Sequence, residues 1–120
     1  MLEKINLTEK FASFKEQWSP KVIGEVNDAA VKLAKLQGKF MWHSHANEDE
    51  LFLVVKGKLL IKLRGQDIYL NEGECVIIPK GVEHLPIAEE ECHVLFFEPN
   101  TMLNTGNLHN ERTVEVLEKI

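Results

Sequence analysis

Apolar and polar positions change rhythm once along this chain. In the opening stretch NLTEKFASF, Leu7, Phe11 and Phe14 recur at i, i+4 and i+7. That spacing predicts a short amphipathic helix with Asn6 or Thr8 as its cap. Pro20 separates this helix from the rest of the chain. From Val22 onward the pattern becomes a series of short strands: VIGEV, VKLAKL, KFMWHSH, ELFLVV, KLLIKLR, DIYL, ECVIIP, HLPIA and HVLFFEP. Turn residues punctuate them at Asn27-Asp28, Gln37-Gly38, Ala46-Asn47, Lys56-Gly57, Arg64-Gly65-Gln66, Asn71-Glu72-Gly73 and Pro79-Lys80-Gly81. Many short strands at close, regular spacing predict an all-β sandwich or barrel. LFLVV and HVLFF are apolar on both faces, so both sides must be covered. A barrel whose outer wall packs against a partner or the N-terminal segment meets that need. After Pro99 the chain turns polar and ends in a short apolar alternation around Val114, Val116 and Leu117, read as a surface loop closing in a strand or helical turn.

The 120 residues contain no repeat, low-complexity tract or linker, so one domain over 1–120 is expected. At 44% hydrophobic and 28% charged the composition is that of an ordinary soluble globular protein. No apolar run approaches the length of a membrane span, and the opening MLEKINLTEK lacks the apolar region of a secretory signal, so a cytoplasmic location is expected. A net charge of −5 argues against nucleic acid as partner. The nearest basic cluster, Lys56, Lys58, Lys62 and Arg64, lies at strand spacing and reads as a solvated sheet face. Two cysteines without an export signal predict no disulfide framework; Cys75 and Cys92 are expected as reduced, buried strand residues.

Two segments carry the candidate chemistry. The first runs from Gly38 through His43, His45 and Glu50 to Gly57. Residues two apart on a strand share a face, so His43 and His45 project into one space, about 7 Å apart at Cα. Glu50 begins the next strand, and an antiparallel pairing brings its carboxylate beside the two imidazoles. The second segment runs from Gly73 through Pro79 and Gly81 to His84, with the Pro-Lys-Gly turn returning the chain. Three neutral imidazoles and one carboxylate converging inside a barrel suit one divalent transition metal (Fe, Mn, Ni, Zn, Co or Cu), with positions left for water or substrate. On the same strand faces, Met41, Phe52 and Val54 are expected to line the pocket.

These paired segments resemble the two motifs of the cupin superfamily: Gly, His-x-His, Glu and Gly, followed by Gly, Pro-x-Gly and His. Two departures are visible. The gap from Gly38 to His43 is one residue short, and Ala88 stands where the family often has Asn four residues after the last His. The resemblance implies a double-stranded β-helix (jelly-roll) barrel, a metal at its centre and, commonly, a homodimer. Small stand-alone members of the family are often likened to sugar-phosphate isomerases such as mannose-6-phosphate isomerase. Here only Arg64 and Arg112 are arginines and neither lies in a motif, which weakens a phosphate-bearing substrate.

The other chemistry-bearing residues read as structural. Glu48 and Asp49 fall in the turn before Glu50 and are expected in solvent. His93, among apolar neighbours, is expected to be structural and His109 exposed. Trp42 alternates with His43, so it should face away from the metal, under the N-terminal segment or at a dimer contact. Tyr69 reads as a partly buried sheet residue. No nucleophile triad, phosphate-cradling loop or nucleotide fingerprint is present. The expected function is metal-dependent action on a small oxygen-chelating molecule, dioxygenase-like or isomerase-like. The alternative is a non-catalytic module that binds or senses a small ligand through the metal.

Overall fold

The computed structural model describes residues 2–120. Helix α1 (Leu7–Ala12) is followed by β1 (Lys21–Val26), β2 (Ala29–Lys39), β3 (Glu50–Lys56), β4 (Leu59–Lys62), β5 (Asp67–Leu70), β6 (Cys75–Ile78) and β7 (Leu85–Pro99). The fold is the all-β jelly roll with a short N-terminal helix. Its helix starts where the sequence places it: the Asn6 carboxamide oxygen accepts a hydrogen bond from the Glu9 N–H at 3.0 Å. Phe11, on that helix, and Phe14, just after it, bury themselves against Leu33 on the outer face of β2. The N-terminal segment thus covers part of the outer wall.

The ladders are antiparallel and run in the order β1-β2-β7-β3-β6, with β4 joining β5 to the first part of β7. β7 organises this arrangement. Leu85–Ile87 pairs with β4, whereas the later half lies between β2 and β3. HLPIA and HVLFFEP, expected as two strands, are therefore one. The acidic run Glu89–Glu91 between them contains no Gly or Pro to reverse the chain, so it stays extended, with its side chains exposed. Inside the barrel, Ala34, Leu36, Phe52, Val54, Leu59, Ile61, Val94 and Phe96 form the core. At strand spacing these come from alternate positions facing inward.

Several expectations need correcting. KFMWHSH does not continue as a ladder strand: β2 ends at Lys39, and of the residues up to Asp49 only His43 forms a bridge, with His84. Tyr69 is 71% exposed and Cys75 is exposed as well, because none of the described residues packs over the outer faces of β5 and β6 at these positions. Cys92 is fully buried, and burial pushes its thiol pKa up to about 12, which leaves it inert. Trp42 does not pack under α1: the Arg64 guanidinium sits 3.8 Å over its ring, and a dimer contact at this residue stays a proposal. Residues 100–120 form neither helix nor strand ladder. The chain end is fastened by the Ile120 N–H donating to the Val22 carbonyl, and Asn104 and Leu117 reach the barrel mouth.

Candidate metal centre

The site is assembled by two backbone anchors. His43 and His84 exchange hydrogen bonds, His43 N–H to the His84 carbonyl at 3.1 Å and His84 N–H to the His43 carbonyl at 2.9 Å. This bridging pair joins the two histidine-bearing ends of the sequence segments, which the β3–β6 ladder also pairs. The Gly81 N–H donates to the His45 carbonyl at 2.7 Å, and the Lys80 N–H donates to Asp49 Oδ1 at 2.9 Å. The Pro79-Lys80-Gly81 turn therefore holds the loop between His45 and Glu50 in place. Asp49 serves this tie, and Glu48 accepts a hydrogen bond from the Thr101 hydroxyl.

Imidazole orientation is set by the next layer of contacts. His43 Nδ1–H donates to the Met41 carbonyl and His84 Nδ1–H to the Val82 carbonyl, each at 2.9 Å. A carbonyl can only accept, so each ring carries its proton on Nδ1 and keeps the Nε2 lone pair free. His43, His45, Glu50 and His84 are all buried, and one ligand-type atom from each lies within 4.8 Å of the others. Glu50 Oε1 is 3.4 Å from His45 Nε2 and 3.3 Å from His84 Nε2. His45 Nδ1 and Nε2, Glu50 Oε1 and His84 Nε2 have no hydrogen-bond partner despite burial. Leaving one such group unpaired costs about 1–3 kcal/mol. Three of them, His45 Nε2, Glu50 Oε1 and His84 Nε2, face one another and make an arrangement that fits a cation.

The electrostatics agree with that fit. Burial, reinforced by the neighbouring His84, lowers the His43 pKa to about 4, which keeps the ring neutral and its lone pair available. Burial alone would raise the Glu50 pKa, but the facing His45 and His84 rings bring it well below the ordinary carboxylate value. A neutral His43 ring and an ionised Glu50 carboxylate are therefore in place at neutral pH.

His43 also gives the metal-free protein a pH dependence. Its folded pKa of about 4 lies below the ordinary histidine value of 6.5. Between those values the unfolded chain binds a proton that the folded one does not, so stability falls as pH drops from about 6.5 to about 4. The loss is on the order of 3 kcal/mol. Urea unfolding of metal-free protein and of His43→Gln across this range measures it. The stability difference between the two should shrink toward low pH; a constant difference would contradict the assignment.

Beside the cluster, a narrow cavity opens toward the barrel mouth. About 40 Å3 of it is open to the centre of a water molecule, enough for a few waters or a small ligand. His43, Glu50 and Phe52 line it together with Trp18, Phe40 and Phe96. Of the other pocket residues expected from sequence, Val54 is wholly buried in the core. Met41 orients His43 through its carbonyl and accepts an Asn110 hydrogen bond at its sulfur. His93 stacks on Phe11 with centroids 4.4 Å apart, and His109 is exposed. Two cavity residues had no signal in the sequence: Lys32 and Glu98, 3% and 5% exposed, joined by a 2.9 Å hydrogen bond from Nζ to Oε2. Burial and the adjacent Glu50 carboxylate raise the Glu98 pKa well above its ordinary value, against the opposing pull of Lys32.

The family model of the cupin domain matches residues 31–98, which include all four clustered residues. This chain belongs to the cupin family. A cupin-2 domain protein of Shewanella frigidimarina superposes with a TM-score of 0.79 at 51% identity, covering 80% of this chain and 94% of that one. Protein YdbB of Bacillus subtilis, itself uncharacterised, is 41% identical over 77 residues, or 63% of this chain; that stretch spans 62% of its own length. Hydroquinone 1,2-dioxygenase of Sphingomonas, solved with 4-hydroxybenzoate bound, shares the fold at a TM-score of 0.66 and 18% identity, over 76% of this chain and 71% of its own.

Proposed function

We propose that this cupin is a metal-dependent enzyme acting on one small oxygen-chelating molecule, through dioxygen chemistry or isomerisation. The observation that carries the reading is the set of buried, unpartnered ligand atoms on His45, Glu50 and His84, with His43 Nε2 freed by its bond to Met41. His43, His45, Glu50 and His84 would hold one divalent transition metal. Such an ion supplies Lewis-acid polarisation of a substrate oxygen or, if redox-active, a site for O2. The chain's own part is to fix the imidazole lone pairs through the Met41 and Val82 carbonyls. Phe40, Phe52 and Phe96 exclude bulk water from the cavity and pack against the ligand's carbon skeleton. Within the shared fold, the dioxygenase relative supports the oxygen-dependent branch by analogy alone.

The reading extends to one domain and a homodimer in the cytoplasm. Its second copy would cover the outer sheet face where Leu51, Ile77 and Phe97 meet across paired strands, the last two being 59% and 40% exposed. The test of activity is O2 consumption and product analysis with iron-, manganese-, nickel- and zinc-loaded protein against small diols, enols and 2-hydroxy acids. Turnover by wild type and not by His45→Ala supports an enzyme. Tight ligand binding without turnover under any of these metals would leave the non-catalytic binding module instead.

A further inference from the structure

Lys32 is placed where an alternating strand seldom puts a lysine. It points from β2 into the barrel and lines the same cavity as His43 and Glu50, with 3% exposure. Fully buried lysines are rare, and a buried ion pair contributes little net stability over apolar side chains of similar volume. The wall around it is made of Ala34, Leu36, Phe52 and Phe96, so an apolar residue would fit the packing. The ammonium group has three N–H donors, and one hydrogen bond, to Glu98, accounts for one of them.

We propose that Lys32, held in place by Glu98, is the second anchor of the ligand, and that the ligand is a small acid with two polar ends. One end chelates the metal and the other presents a carboxylate to Lys32. This rests on the metal reading above. Charge supports it. A divalent ion with three neutral imidazoles and Glu50 leaves a net charge of about +1, and the Lys32–Glu98 pair adds either nothing or a further positive charge. Such a cavity favours an anion whatever the state of Glu98. Spacing supports it too. Lys32 lies on β2 and Glu50 on β3, with β7 between them. At roughly 4.8 Å per strand, the two backbones run about 10 Å apart within one sheet, with their inward side chains facing the same cavity. Glu98, on the strand between them, bonds Lys32 and stands beside Glu50, so the ammonium lies one carboxylate away from the cluster, and Phe52 and Phe96 line the cavity next to it for a ligand's methylenes.

The test compares 2-hydroxyglutarate with 2-hydroxyvalerate, which share length and chelating head and differ in the far carboxylate. Calorimetric titration of cobalt-loaded protein gives both affinities, and the visible cobalt spectrum reports chelation. Wild type should bind the diacid at least about 10-fold tighter. Lys32→Met, still taking one cobalt, should bring the ratio to about 1–2. If that variant fails to fold, Lys32→Met/Glu98→Leu removes both charges together and makes the same prediction. Equal or undetectable affinity of wild type for both acids, or an unchanged ratio in a cobalt-loaded variant, overturns the proposal. Wild type that takes up no cobalt sinks the metal reading and this one with it. Cobalt uptake without discrimination sinks only this one.

Discussion

Replacing His84 by alanine will abolish tight metal binding, and Glu50→Gln will do nearly the same. His84 has no exposure, and its Nε2 is aimed at the Glu50 carboxylate with no hydrogen-bond partner of its own. Outer groups that merely orient a ligand cost 10–100-fold in affinity when removed, so loss of an inner donor should exceed about 100-fold. Thermal unfolding reads this directly. A metal at 1,000 times its Kd stabilises the folded state by about 4 kcal/mol, which should appear in wild type and vanish in His84→Ala. The variants carry a second, opposite signature without metal. Wild type has unpaired polar atoms buried around Glu50 and His84, and removing some of them relieves a penalty of about 1–3 kcal/mol each. Metal-free Glu50→Gln replaces a carboxylate oxygen by an N–H donor that the unpartnered His84 Nε2 can accept, and should lose little stability. A variant that unfolds outright without metal would mean the cluster serves the fold rather than an ion.

The second large effect is expected at a residue with no chemistry of its own. Gly106, in the C-terminal segment, has φ of +61°, and a Cβ there would lie 2.1 Å from the Ser44 carbonyl oxygen and 3.2 Å from His43 Cδ2. Ser44 sits between His43 and His45, and its N–H donates to Asn107 Oδ1 while its carbonyl accepts from the Asn107 N–H, both at 2.9 Å. Gly106→Ala would thus prise the segment away from the backbone that carries both imidazoles. Left-handed backbone alone costs about 1–2 kcal/mol for alanine, and the clash adds to it. Metal affinity should fall about 10–100-fold, as for other lost outer contacts. Gly38→Ala is the control: its φ is +87° but nothing lies within 4 Å of the new methyl. It should lose only the backbone part of the stability and bind metal normally. Measured by calorimetric metal titration, equal affinities for the two alanine variants would contradict a role for the C-terminal segment at the site.

How much was legible in the sequence depends on how local each signal is. The two motif segments carry their donors at fixed spacing with turn residues between them, so the cluster of His43, His45, Glu50 and His84 could be read from the residues. The helix at Leu7–Ala12 was equally local, with its cap and apolar spacing within a few residues. Lys32 and Glu98 were not legible, for a tertiary reason. In VKLAKL the apolar residues suggest the inner face, yet Leu33 points outward and is buried by Phe11 and Phe14 of the N-terminal segment. Lys32, one residue before, is turned inward by the same alternation. Where both faces of a strand are covered, polarity no longer reports which one is the core. The C-terminal segment was likewise opaque. Its contacts with Ser44 and Val22 span long stretches of chain, and no periodic pattern encodes them.

The central claim is that these four residues hold one transition metal. Elemental analysis of untagged protein, purified without chelator and then again after reconstitution and desalting, tests it most directly. The predicted result is about one metal ion per chain, absent from His43→Ala/His45→Ala treated identically. Wild type with no stoichiometric metal after reconstitution, or a double variant that keeps its full content, would contradict it.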